Sequence, residues 1–268
     1  MSTTGVMGRA LVTGGGGFIG SRLVRGLLAS GSNVRVLDVR RGHLKGVVDR
    51  KLKAIGLGGD HLRGGMVDRR LARRAVRDVD VVYHLALNWN GASWKHRLPL
   101  EDLFDANVRG ALNMLEAAGA SKVKHFLLAS SAAVYGEVEA PRLDEETVCK
   151  PEEWDGEPGA SYGILKLIVE KLCLMYGRKH RLPVTAFRID YVLKEGERPE
   201  GGGVHRDDVI KAFLLATLNR GAYGQVFNLS SGGGDVSIGK ARRVLGWEPR
   251  QTRSLLTSAR SRARSRRC

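Results

Sequence analysis

Through the first two-thirds of the chain, short apolar runs alternate with longer stretches whose apolar residues recur every three or four positions. The runs Ala10–Val12, Val34–Leu37, Val79–His84, His125–Ala129 and Val184–Ile189 read as strands, because unbroken apolar runs suit strands covered on both faces. Between them Ile19–Ala29, Leu71–Val76, Leu103–Ala118 and Tyr162–His180 carry the helical period. Gly31, Gly136 and Pro183 fall between elements, where chain breakers belong. Strand and helix in strict alternation imply right-handed crossovers, and hence an α/β fold with a doubly wound parallel sheet. The segment Gly42–Gly65 is glycine-rich and weakly patterned, and no element is assigned to it.

The first strand–helix junction, Ala10-Leu11-Val12-Thr13-Gly14-Gly15-Gly16-Gly17-Phe18-Ile19-Gly20, carries the first chemistry. A strand delivers the chain to the sheet edge, glycines allow a tight turn and close approach of backbone to ligand, and the next helix aims its free N–H groups at an anion. That is what a dinucleotide pyrophosphate requires. Gly14, Gly17 and Gly20 have GxxGxxG spacing, which alone is weak in a chain with 35 glycines; a merely flexible loop is the bland alternative. Context favours the site. The second strand ends in Asp38, close to the ~20-residue spacing at which an acid receives the adenosine ribose.

Tyr162 and Lys166 stand four residues apart on one predicted helix, hence on one face. A phenol normally loses its proton near pH ~10, and an ammonium alongside favours the phenolate, making tyrosine a usable base near neutrality. Their helix follows a strand that ends in hydroxyls at Ser130 and Ser131, and residues just past a parallel strand's carboxyl end face the ligand crevice. Ser131 there suits a substrate hydroxyl, with a simple turn serine as the alternative.

Composition narrows the class. The chain has 268 residues, enough for one large domain or a nucleotide-binding domain with a small appendage. No run approaches the ~18 apolar residues of a membrane span, and no signal pattern opens the chain. Cys149, Cys173 and Cys268 are scattered, which argues for a reducing cytoplasm and against a disulfide framework or zinc site. The seven histidines show no ligand spacing, so no metal is expected. The net charge of +16 invites a nucleic-acid reading, but residues 253–268 alone carry six arginines and no acid. That tail reads as disordered and solvated. With aromatic content of 6% and no recognition module, nucleic-acid binding ranks a distant third among the readings.

Five segments, in order, carry these residues and their neighbours. Together with the glycine loop, Asp80-Val81-Val82-Tyr83-His84-Leu85-Ala86, Asn107-Val108-Arg109-Gly110, Ser130-Ser131-Ala132-Ala133-Val134-Tyr135-Gly136 and Tyr162-Gly163-Ile164-Leu165-Lys166 resemble the extended short-chain dehydrogenase/reductase family, in its NAD-dependent sugar epimerase/dehydratase group. Weaker echoes follow in Val204-His205-Arg206-Asp207-Asp208 and Leu245-Gly246-Trp247-Glu248-Pro249. The resemblance implies a Rossmann sheet and NAD as cofactor, with NADP the alternative if Arg40 and Arg41 pair with its 2′-phosphate. It implies Tyr162 as catalytic base, Lys166 as its pKa-lowering partner and ribose ligand, and Ser131 as the orienting hydroxyl. Gly14, Gly17, Phe18, Ile19, Gly20 and Asp38 would hold the cofactor, Leu85 and Ala86 would form the strand end beneath it, and Asn107 would belong to its scaffold. His84 is equally a packed core histidine.

The departures bear on the substrate. Ala132 and Ala133 stand where family dehydratases carry an acid pair, which argues for epimerisation or simple alcohol oxidation. Tyr191 replaces an asparagine that commonly holds a nucleotide diphosphate, Lys194 replaces a glycine, and Gly65 replaces an acid after the third strand. Only residues 195–203 separate Lys194 from Val204, where the family has several dozen residues, and a second contraction lies between Gly232 and Lys240. The expectation is therefore a dinucleotide-binding domain over 1–190, a reduced substrate lobe over 191–252 and a basic tail over 253–268. The expected activity is cytoplasmic, NAD-dependent sugar or nucleotide-sugar epimerisation or oxidoreduction, with a homodimer left open. The rival is a non-catalytic dinucleotide-binding or scaffold protein whose substrate pocket is lost.

Overall fold

A computed structural model describes residues 8–39, 60–88, 98–138, 142–155, 159–194, 196–197 and 202–250. Arg40, Arg41, most of the glycine-rich segment and the arginine tail lie outside them.

The main sheet is built from β1 (Ala10–Thr13), β2 (Val34–Asp38), β3 (His61–Arg63), β4 (Val81–His84), β5 (His125–Ser131), β6 (Val184–Ile189) and, further on, β9 (Gln225–Leu229). Their spatial order is β3-β2-β1-β4-β5-β6-β9, and every pairing is parallel. This is the doubly wound Rossmann arrangement, with its topological switch between β1 and β4. Val192–Leu193 (β7) and Val204–His205 (β8) form a separate two-stranded ladder.

Helices cover both faces. α1 is Gly20–Ala29, α2 Arg69–Ala75, α3 Leu100–Phe104, α4 Gly110–Ala120, α5 Gly159–Lys179, α6 Arg206–Thr217 and α7 Gly239–Leu245. The period-2 geometry of the strands sorts their apolar side chains into two cores. Ala10, Val12, Tyr83, Leu127 and Phe187 pack with α1, α6 and α7 on one face. Leu11, Val82, Phe126, Leu128 and Ala186 pack with α2, α4 and α5 on the other. Trp247 is fully buried against the first core and donates its indole N–H to the Asp208 carbonyl at 2.8 Å.

The periodicity names five strands and the sheet has two more. β3 is three residues of mixed polarity, and β9 is a short run in the weakly echoed C-terminal third, so neither offers a clear period. β4 begins at Val81 rather than Val79, because Asp78 turns the chain with φ +58° just before it. Residues 191–250, expected as a substrate lobe, supply β9 at the edge of the main sheet, the β7–β8 ladder, and α6 and α7. Among the described residues no helix is long and apolar enough to cross a membrane.

Candidate active site

The glycine loop lies at the switch point, against the end of β4. Gly14 adopts φ +70°, and a Cβ there would stand 2.9 Å from the Ala86 Cα, so only glycine lets the two strand ends meet. A Cβ on Gly20 would overlap the Gly14 carbonyl oxygen, which fixes the entry of α1 against the turn. The amides of Phe18, Ile19 and Gly20 donate to no described residue. They are the free donors of a helix start, which carries partial positive charge. Asp38, at the end of β2, accepts the Gly16 N–H at 2.7 Å through Oδ2 and the Val39 N–H at 2.7 Å through Oδ1. Its carboxylate is therefore fixed beside the loop.

The end of β4 is tied down from both sides. The Ala86 N–H donates to Thr13 Oγ1 at 3.1 Å, and that oxygen lies 3.2 Å from His84 Nδ1. His84 is buried and packs against Phe126 in a tilted arrangement with ring centroids 5.5 Å apart. Burial, aided by the nearby Lys166 charge, pulls its pKa down to about 3, so it is a neutral packing group. Asn107 occupies a π-helical turn, Asp105–Arg109, that links α3 to α4. It accepts the Asn88 N–H and donates to the Asn88 carbonyl, both at 2.8 Å, which pins the segment after β4. His84, Ala86, Asn107 and Lys166 line one small cleft.

Ser131 ends β5, and its Oγ accepts the Ala133 N–H at 3.2 Å. Tyr162 lies in the first turns of α5 and shares a hydrogen bond with Ser131. The approach depends on Gly163, where a Cβ would sit 2.5 Å from the Ala133 oxygen and 2.7 Å from Pro151 Cβ. Any side chain there would lever the helix away from the serine. Trp154 holds the same turn from outside, donating Nε1–H to the Ala133 carbonyl at 2.9 Å.

Lys166 is buried, lies 5.8 Å from the Tyr162 ring centroid and donates to the Ala129 carbonyl at 2.8 Å. Burial pulls its pKa down to about 8. The sequence expectation that the lysine lowers the tyrosine pKa is not what the geometry does by itself. Burial raises the phenol pKa, and the opposing pull is the Ser131 hydrogen bond. The ammonium is directed at a backbone carbonyl rather than at the phenol oxygen.

A buried polar network behind these hydroxyls was not legible in the sequence. Glu170, one turn beyond Lys166 on α5, accepts from Ser130 Oγ at 2.7 Å and from Arg188 Nη2 at 2.7 Å. Arg188 also donates to the Tyr135 hydroxyl at 3.0 Å, which in turn donates to Asn228 Oδ1 at 2.8 Å. Burial opposes the Arg188 charge, but the Glu170 bond and field outweigh it and raise the guanidinium pKa further. The one sequence signal was a glutamate at i+4 from the lysine on a largely buried helix face.

With this geometry established, the chain can be placed. It belongs to the NAD dependent epimerase/dehydratase family, whose sequence profile matches residues 10–203. It is 32% identical over 217 residues to UDP-glucose 4-epimerase from Lactobacillus helveticus, covering 80% of this chain and 60% of that protein. The chain thus spans less than two thirds of that curated relative. Its fold is that of UDP-glucuronic acid 4-epimerase from Bacillus cereus in complex with NAD, with TM-score 0.70 and 21% identity over 90% of this chain and 94% of that one. A short-chain dehydrogenase/reductase superfamily protein from Agrobacterium tumefaciens with bound NAD gives TM-score 0.72 and 22% identity over 97% and 100%.

Proposed function

We propose that the chain is an NAD-dependent epimerase or oxidoreductase acting on a sugar or nucleotide sugar, with Tyr162 as the proton-transferring group. The observation that carries this reading is the Ser131–Tyr162 hydrogen bond at the carboxyl edge of the sheet, one turn of α5 from the buried Lys166. The family membership, the 4-epimerase relative and the NAD-bound structures of the same fold support it.

The residues present fit the cofactor. The free amides of Phe18, Ile19 and Gly20 suit a diphosphate, and Gly14 and Gly17 keep the loop bare of side chains. Asp38 suits the adenosine ribose; Leu85 and Ala86 form the floor, and Asn107 braces it. When bound, NAD supplies a hydride acceptor whose oxidised ring carries positive charge. The chain's own residues handle the proton. Ser131 holds the substrate hydroxyl, and the Tyr162 phenolate removes its proton as the carbon becomes a ketone. The same phenol returns the proton when the ketone is reduced. Lys166 serves the cofactor ribose and offers a positive charge beneath the phenol. Ala132 and Ala133 provide no acid–base pair next to Ser131, which favours epimerisation or alcohol oxidation over dehydration.

A second reading, dinucleotide binding without turnover, is favoured by the connection from β7 to β8, which residues 194–203 complete. The test is NADH formation across sugars, uronic acids and nucleotide sugars, with wild type beside Tyr162→Phe. General-base loss lowers turnover ~10²–10⁴-fold, while NAD affinity should be kept because only a hydroxyl is removed. Undiminished turnover in the mutant refutes the mechanism. Tight NAD binding without turnover on any substrate selects the second reading.

A further inference from the structure

Arg206 stands apart from the other cations of the C-terminal segment. It opens α6, directly after the β7–β8 ladder, and its guanidinium carbon lies 4.5 Å from the centroid of the Phe18 ring. Phe18 belongs to the glycine loop and remains 45% exposed, so the contact brings a positive charge from residue 206 onto the phosphate-binding turn. The acids that follow Arg206 do not neutralise it. Asp207 is bonded to Arg22 at 2.8 Å and lies 3.7 Å from Arg250, and Asp208 also faces Arg250 at 3.7 Å. The Arg206 Nε is buried and has no hydrogen-bond partner among the described residues.

A buried charged donor with no acceptor is costly and calls for an explanation. Stacking on an aromatic face holds the guanidinium plane and leaves its N–H donors at the rim of the ring. The amides of Phe18 and Ile19, in the turn that carries this ring, have no acceptor among the described residues. Backbone donors, a helix start and an arginine are thus gathered at the Phe18 turn, a combination that suits a doubly charged diphosphate better than any neutral ligand.

We infer that Arg206 is a ligand-binding residue of the dinucleotide site, a clamp from the C-terminal segment that engages the cofactor diphosphate with Phe18 as its platform. This rests on the dinucleotide-site reading above and adds to it a contact from outside the glycine loop. It also gives the short segment after β6 a role: the β7–β8 ladder delivers Arg206 to the loop.

The experiment measures NAD and ADP-ribose affinities by calorimetry for wild type, Arg206→Met, Arg206→Lys and Arg25→Gln, at several salt concentrations. Adenosine serves as a competitor that lacks the diphosphate. Removing one charge-assisted contact should weaken both diphosphate ligands roughly 10- to 100-fold. It should also flatten the salt dependence and leave adenosine competition unchanged, with Arg206→Lys recovering part of the loss. Arg25→Gln removes an exposed charge from α1 away from the loop and should bind as wild type does. Arg206→Met with affinity within twofold of wild type overturns the inference and leaves the dinucleotide site standing. Equal losses for adenosine and ADP-ribose overturn it too, since they mark a structural role. Wild type that binds neither NAD nor ADP-ribose overturns the site reading itself.

Discussion

Replacing Lys166 with methionine should make the protein more stable at pH 7 while impairing its chemistry. The lysine is buried, and burial depresses its pKa from 10.5 to about 8. Keeping the ammonium charged inside the fold therefore costs about 3 kcal/mol relative to the unfolded chain. Methionine keeps the unbranched apolar stem and removes the charge, at the loss of the hydrogen bond to the Ala129 carbonyl, worth about 1 kcal/mol. The net expectation is a gain of about 2 kcal/mol, or a Tm rise of roughly 4–8 °C for a domain of this size. The sign has a pH signature. Between the folded value near 8 and the unfolded value of 10.5 the unfolded chain binds more protons, so wild type gains stability as pH rises through that window. The advantage of Lys166→Met should accordingly shrink between pH 8 and 10.5 and give way above it to a deficit of about 1 kcal/mol, the lost hydrogen bond. Urea melts of both proteins at pH 7, 9 and 10.5 measure this directly. A mutant that is less stable than wild type at pH 7, or an advantage that does not change with pH, would refute the reasoning. Weaker NAD binding and slower turnover in the same mutant would show that the strained charge is retained for function.

Asp38 should make wild type prefer NAD, because its carboxylate repels a 2′-phosphate; titration with both oxidised cofactors checks this, and tighter NADP binding would remove the assignment. Asp38→Asn should narrow the preference by about tenfold or more, read in the same titration. Glu170→Gln leaves the Arg188 charge buried without its counterion and should cost about 3–5 kcal/mol of stability by urea denaturation, since both groups are almost wholly inaccessible. Gly163→Val should lower turnover more than it lowers NAD affinity, because it displaces α5 from the Ala133 carbonyl and so separates Tyr162 from Ser131; equal losses in both would argue that the whole site collapses.

Much of the site could be read from residue order. The glycine loop, Asp38, Ser131 and the Tyr162/Lys166 pair each sit where a strand end or a helix turn dictates, and strand and helix periods place them without further knowledge. Gly14 and Gly20 are required by local backbone contacts, so their spacing carries the information. Charges behaved differently. The expected pull of Lys166 on the tyrosine assumed an ammonium aimed at the phenol, whereas in the fold it is bonded to Ala129. Direction of a flexible side chain depends on which acceptor the neighbouring strand presents, and four-residue spacing does not encode that.

Local pattern thus determines the alternating elements, the switch point and the face of α5 that meets the crevice, because periodicity and glycine stereochemistry act over a few residues. Long-range packing decided the rest. β9 joins the sheet only because β6 offers it an edge, with Phe187 beside Phe227 in register. The Glu170–Arg188–Tyr135–Asn228 network joins four separate elements, and Arg206 reaches Phe18 from the far side of most of the chain. Such contacts arise from burial and from charges that must find partners once water is excluded. Both are properties of the assembled interior rather than of any segment alone.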